Sequence, residues 1–251
     1  MSNNPTSAVL MIGNELLSGR TQDINLKTIA ERLGSIGVQV CEARVVADDS
    51  TAIVDAINTL RTTYDYVFTT GGIGPTHDDI TAQCVADAFG KPLLQHPQAA
   101  KLLRDYFKSR GHEANAARMR MANVPEGGTL IDNPVSVAPG FVVENVHVMA
   151  GVPKIMQAML ENILPTLTRG MMLSSVSVIC DLGEGTISAS FETLQQKYGE
   201  SVDFGSYPGK SGVAGRLTLI ARGADPDKVK EAGNEIDAMV RSLGGNVIEA
   251  G

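Results

Sequence analysis

TTGGIGPTHDDIT, residues Thr69 to Thr81, is the stretch that decides how this chain is read. It follows a short apolar run, Tyr66 to Thr69, of the length of a buried strand. It precedes Ala82 to Gly90, where Cys84, Val85, Ala88 and Phe89 recur at helical spacing. The stretch is therefore a strand-to-helix loop. Gly71, Gly72 and Gly74 let the backbone bend sharply and approach a ligand without Cβ atoms in the way, and Pro75 removes one amide while fixing φ. Free N–H groups near a helix start suit an anion. Asp78 and Asp79 add two carboxylates where those amides would hold phosphate, which makes sense if a divalent cation sits between protein and phosphate oxygens. The same Asp-Asp pair ahead of a helix is also what N-capping and the helix dipole favour.

Upstream, Ala8 to Ile12 reads as a first strand that ends in the loop Gly13-Asn-Glu-Leu-Leu-Ser-Gly19. Leu26, Ile29, Ala30 and Leu33 then mark one face of a helix, and Val38 to Val46 is strand-like. Ala47-Asp48-Asp49-Ser50 follows, with Ser50 as N-cap of a helix striped by Ile53, Val54, Ile57 and Leu60. Three strands each followed by a helix predict an α/β fold: a three-layer, mainly parallel sheet with helices on both faces, joined by right-handed crossovers. Ligands in such sheets sit beyond the carboxyl ends of the strands. Glu15, Asp48, Asp78 and Asp79 all belong to such ends and are expected to converge on one cleft.

Downstream, Pro97 to Ser109 and Glu113 to Met121 read as helices, and Arg110, Arg118 and Arg120 cluster there, as a solvated face or as phosphate or subunit contacts. Phe141 to Val143 and Val146 to Met149 form a strand pair joined at Glu144-Asn145. Pro153 opens a helix whose methionines read as core filling. The pattern restarts around Thr168 to Met172, which divides the chain into a domain of residues 1–170 and a smaller one of residues 171–251. The second has the order βαββαβ, a small α+β unit. Its Gly209-Lys-Ser-Gly212 spells the GXXG of KH domains, but there the loop joins helices and here it joins strands.

The composition, 43% hydrophobic and 20% charged, is that of a globular chain that can bury a core. The first 170 residues carry 14 basic and 17 acidic side chains, net −3, and the rest 7 and 11, net −4, so neither part offers a basic nucleic-acid surface. Cys41, Cys84 and Cys180 are too scattered for a disulfide framework or a thiolate metal site. His96, His112 and His147 lack metal-ligand spacing. Neither a signal peptide nor a membrane span is evident, and the expected location is the cytoplasm.

Several of these stretches together resemble the CinA (competence/damage-inducible protein A) family: Gly13 to Gly19, Val46-Ala-Asp-Asp49, Thr70 to Thr81, Ala138-Pro-Gly140 and Gly151-Val-Pro153. The likeness runs in order through most of residues 8 to 167. More distantly, the glycine loop and its acids look like the molybdopterin-binding proteins of molybdenum-cofactor biosynthesis, the MoaB and MogA type. The second part, with Gly183-Glu184 and Gly205-Ser-Tyr-Pro208, is similar to the segment, KH-like in CinA relatives, that follows this domain, and to the FAD-hydrolysing domain of some FAD synthases. The resemblance implies a molybdopterin-binding-like fold without the amidase domain that many CinA proteins carry. It implies metal-dependent hydrolysis of a nucleotide pyrophosphate such as ADP-ribose or FAD, and a homo-oligomer. A non-catalytic pterin or nucleotide carrier, with molybdopterin as ligand, is the alternative. Asn14 stands where many relatives have Asp, which removes one anionic ligand, and Ser136 where a Gly is common.

Pyrophosphate hydrolysis needs charge neutralised on phosphate, an oriented water and a stabilised leaving group. The resemblance assigns Asp48 and Asp79 as ligands of a divalent ion (Mg, Mn or Co), with Asp78 as a further catalytic acid and Glu15 and His77 as secondary candidates. Gly13, Asn14, Glu15, Gly71, Gly72, Gly74, Pro75, Thr76, Pro139 and Gly140 are the expected substrate contacts.

Overall fold

The computed structural model describes residues 4–209 and 216–250. It divides into two compact units, one of residues 4–170 and one from residue 171 onward. The first unit opens with β1 (Thr6–Ile12), a short α1 (Asn14–Leu17), α2 (Asn25–Gly34), β2 (Gln39–Val46), α3 (Ser50–Thr63), β3 (Tyr66–Thr70) and α4 (Thr81–Ala88). There follow β4 (Leu93–Gln95), α5 (Pro97–Ser109), α6 (Ala116–Met119), β5 (Asn123–Pro125), β6 (Thr129–Ile131), β7 (Gly140–Val143), β8 (Val146–Met149) and α7 (Pro153–Ile163).

The main sheet has six strands in the order β2-β1-β3-β8-β7-β6. The first four run parallel, and β7 and β6 are antiparallel additions. Side chains alternate across it with period two. Ala8, Leu10, Ile12 and Val67 pack with α3 and α4, whereas Val9, Met11 and Phe68 pack with α2 and α7. The helices therefore cover both faces, as expected for parallel strands buried on both sides. Val38, expected at the head of the second strand, precedes β2. Ser50 is the first residue of α3 and not its cap: the Asp49 carboxylate accepts from the Ala52 amide at 2.9 Å. Helix Glu113–Met121 shrinks to α6, capped by Asn115, with a 3₁₀ turn at Arg120–Ala122.

His147, on β8, lies stacked on Phe68 at 5.0 Å between ring centroids, and its Nδ1 has no hydrogen-bond partner among the described residues. Burial lowers its pKa to about 4. A buried neutral His with a depressed pKa binds its proton more weakly folded than unfolded, so stability is full above pH 6.5 and is lost as pH falls toward 4. Urea unfolding of wild type and His147→Phe should diverge on acidification, the wild type losing about 2 kcal/mol more between pH 7 and pH 4.5. Parallel pH profiles would refute this.

The second unit comprises β9 (Ser174–Cys180), α8 (Glu184–Tyr198), β10 (Asp203–Pro208), β11 (Leu217–Gly223), α9 (Pro226–Ser242) and β12 (Val247–Ala250). Its strands lie in the order β10-β11-β9-β12, all antiparallel. That is the ferredoxin-like weave of a βαββαβ chain and not a KH arrangement. Asp225 caps α9 by accepting from the amides of Asp227 and Lys228. Gly233 lets α9 approach the sheet, since a Cβ there would lie 2.5 Å from Val176 Cγ1. Gly209 follows β10, and Lys210 to Gly212 of the GXXG run lie outside the described residues. Cys84 and Cys180 are buried, Cys41 is exposed, and none is paired. No helix among the described residues is long and apolar enough to cross a membrane.

Candidate functional site

The crossover from β1 to β2 and the one from β2 back past β1 to β3 run in opposite directions along the sheet. Right-handed connections then put α2 on one face and α3 on the other. The loops leaving β1 and β3 part at this point, and the crevice they leave is a switch point where ligands bind in open α/β sheets. A cavity of about 550 Å³ lies there. It is walled by Gly13 and Glu15 after β1, Asp48 after β2, Gly71 to Pro75 with Asp78 and Asp79 after β3, and Ala150 to Pro153 after β8.

The glycine loop is closed on itself. Thr81, buried at the start of α4, donates its hydroxyl to the Gly71 carbonyl and its amide to the Gly72 carbonyl, both at 3.0 Å. Gly71 has φ +104°, and a Cβ there would sit 2.2 Å from the Ile12 carbonyl oxygen; Gly72 has φ +66° and would meet Thr81 Oγ1 at 2.1 Å. Neither position admits a side chain. The Gly71 amide, expected to face a ligand, instead donates to Met149 O at 3.2 Å and extends the β3–β8 ladder. The amides of Gly72, Ile73 and Gly74 make no hydrogen bond among the described residues and are the donors left for an anion.

Asp79 folds back over the loop. Its Oδ2 accepts from the Thr76 amide at 2.8 Å and the Thr76 hydroxyl at 2.5 Å, and a Cβ on Gly74 would lie 2.6 Å from the same oxygen. Asp78 is not a helix cap: α4 begins at Thr81 with Ile80 as its N-cap and no side-chain cap bond. The Asp78 side chain is exposed beside the cavity. Asp48 Oδ2 accepts from the Asn14 amide at 2.8 Å, fixing the start of α1, while Glu15 turns its carboxylate over Gly13. His77 stays almost fully exposed, with Nδ1 4.0 Å from Asp78.

Of the expected contacts, Gly13, Glu15, Asp48, Gly71, Gly72, Gly74, Pro75, Asp78 and Asp79 line this cavity. Asn14 and Thr76 serve through their hydrogen bonds to Asp48 and Asp79. Pro139 lines an adjoining cavity, whereas Gly140 lies in β7, where a Cβ would strike the Val148 carbonyl at 2.4 Å; its role is close strand packing. Sequence reasoning gave no site role to Asn133, Ser136 and Gly151. Buried Asn133 accepts from the amides of Val135 and Ser136 and donates to Ala138 O, shaping one wall. Asn25 donates to Gly151 O at 2.8 Å and holds another. The Ala138-Pro-Gly140 and Gly151-Val-Pro153 runs were the available signal for both.

Among the described residues the cavity gathers four carboxylates and no Lys or Arg. Asp48 and Asp79 each accept hydrogen bonds through Oδ2, and their Oδ1 atoms make none among the described residues. No three His, Cys, Asp or Glu among the described residues gather closely enough to hold a metal by themselves.

Fold and site thus define an α/β domain with a carboxylate-lined cavity at the switch point of its sheet. Residues 8–169 match the family described as "Probable molybdopterin binding domain", and residues 172–244 match "FAD synthase, middle domain". A CinA-like protein of Salinibacter ruber is 32% identical over 89% of this chain and 58% of its own length. A putative competence-damage inducible protein of Alkaliphilus oremlandii is 34% identical over 70% of this chain and 45% of its own. This chain thus spans about half the length of those two relatives. The structure of CinA from Thermoplasma acidophilum, 34% identical, superposes with a TM-score of 0.60 over 66% of this chain and 99% of its own. The chain belongs to the molybdopterin-binding domain family, among its CinA-like members.

Proposed function

We propose that the chain hydrolyses the pyrophosphate bond of a nucleotide pyrophosphate of the ADP-ribose or FAD type, with a divalent cation held by Asp48 and Asp79. The observation that carries this reading is the meeting of four carboxylates with the unpaired amides of Gly72, Ile73 and Gly74 at one cavity. Acids alone would repel a pyrophosphate, and amides alone would bind one without acting on it; a bound cation reconciles the two by neutralising phosphate charge. The amides take the phosphate oxygens and stabilise charge on the leaving group. Asp78 and Glu15, exposed on the wall, accept the proton of the attacking water. A new P–O bond forms from water, the bond to the bridging oxygen breaks, and AMP leaves with a second phosphate monoester. The match to the FAD synthase middle domain supports a nucleotide substrate.

A non-catalytic pterin or nucleotide carrier is the second reading, supported by the description of the matched family. Incubating the purified chain with ADP-ribose, FAD and related dinucleotides in Mg²⁺, Mn²⁺ or Co²⁺, then separating the products, should yield AMP. Saturable binding with no AMP under any of these metals would leave the carrier.

A further inference from the structure

A further cavity, of about 520 Å³, opens at the other end of the parallel strands, where β3 and β8 begin and α7 ends. Its volume falls within the roughly 300–1,000 Å³ of sites that enclose a small molecule. The floor is the α7 side of the sheet, where Val142 on β7 and His147 on β8 are cross-strand partners, and Ile131 and Ile163 add apolar wall. Two long-range hydrogen bonds hold the opening in shape. Asn162 donates to Asp132 O at 3.2 Å, tying α7 to the end of β6, and the Thr168 amide donates to the Tyr66 hydroxyl at 3.0 Å, tying the chain beyond α7 to the start of β3.

His147 lines this cavity while only 5% exposed, and its Nδ1 has no hydrogen-bond partner among the described residues. A buried polar atom left without a partner is uncommon and calls for a cause. The Tyr66 ring meets the imidazole edge-on, 5.9 Å between centroids, so two aromatic groups border the cavity. Asp132 and Glu144 stand exposed at its rim, without an ion-pair partner among the described residues, and no Lys or Arg lines it. Such a mouth repels anions and draws cations. Glu144 sits at φ 51° in the two-residue turn between β7 and β8, where Gly, Asn or Asp is the usual occupant. The turn itself gives no reason for a glutamate.

We propose that this cavity is a second ligand site, separate from the one beside the glycine loop, and that it takes an arylalkylamine: a flat ring carrying an N–H against Tyr66 and His147, and an ammonium group at Asp132 and Glu144. Tryptamine serves as the probe, with phenethylamine lacking the ring N–H and indole-3-propionate reversing the charge. Calorimetric titration into the purified chain should show tryptamine saturating with a Kd of about 1 mM or below, the range of a fragment-sized ligand, and no binding of indole-3-propionate. The double variant Asp132→Asn, Glu144→Gln should weaken tryptamine by about fivefold. Asp79→Asn, in the glycine-loop cavity, should leave it within about twofold. His147→Phe keeps a ring to stack on Phe68 but has no nitrogen; it should weaken tryptamine by about fivefold or more and leave phenethylamine within about twofold. Both acids are exposed, so the double variant decides the site even where His147→Phe fails to fold. Absence of saturable tryptamine binding, equal binding of indole-3-propionate, or an affinity unchanged in the double variant would overturn the site. So would a loss in Asp79→Asn, which would put the amine among the acids beside the glycine loop. Equal loss of both amines in His147→Phe would overturn the part given to the imidazole nitrogen.

Discussion

Asp79→Ala and Asp79→Asn are both expected to reduce AMP release from a nucleotide pyrophosphate by about 100-fold or more, the loss that follows removal of a group stabilising transition-state charge. The pair is needed because Asp79 clamps the loop in the structure and is also the proposed cation ligand. Its Oδ2 closes the loop onto Thr76, and its Oδ1 makes no hydrogen bond among the described residues. Alanine removes both. Asparagine keeps an oxygen that can accept from the Thr76 amide and hydroxyl but removes the charge a cation needs. Asp79→Asn should therefore unfold within about 1 kcal/mol of wild type, the net worth of one exposed hydrogen bond, while losing nearly as much activity as Asp79→Ala. An Asp79→Asn protein that turns over at the wild-type rate would show that Asp79 is a loop clamp only. Metal titration provides the second readout: half-maximal Mn²⁺ should rise in both variants.

Gly71→Ala should destabilise the protein by about 3 kcal/mol or more, because two penalties coincide. The residue would be held at φ +104°, and its Cβ would be driven to 2.2 Å from the Ile12 carbonyl oxygen. Ile12 ends β1, which pairs with β3 through Met11 and Thr70, so relief requires the carboxyl ends of two central strands to move apart. The same movement breaks the Gly71–Met149 bond and widens the cavity. Thermal unfolding should fall by roughly 10 °C for a unit of this size, with activity lost in parallel. Gly19→Ala separates the two penalties, since Gly19 has φ +69° and nothing lies within 4 Å of the place a Cβ would take. It should cost only about 1 kcal/mol. Equal losses from the two exchanges would show that the Ile12 contact yields easily.

The parallel half of the sheet was legible because its signals are local. The runs ending at Ile12, Val46 and Thr70 are bounded by glycine and acid loops, and the helical stripes of Ile53, Ile57 and Leu60 or of Met156, Met159 and Ile163 are long enough to show their period. Strands β4, β5 and β6, of three residues each, are too short for an alternation to register, and pairing alone defines them. The stretch Glu113–Met121 reads as one helix by spacing. In the structure, the Asn115 cap starts the helix late, and a 3₁₀ turn ends it.

By itself the sequence determined which loops would meet and which residue types they would carry, since strand ends of one parallel sheet share an edge. Only the tertiary structure decided how each group is spent. It gave the Gly71 amide to Met149 and left those of Gly72, Ile73 and Gly74 without a hydrogen bond among the described residues. It turned Asp79, not Asp78, back onto the loop. Those choices depend on hydrogen bonds and contacts that the fold assembles, and local sequence carries no record of which of two adjacent acids will find a partner.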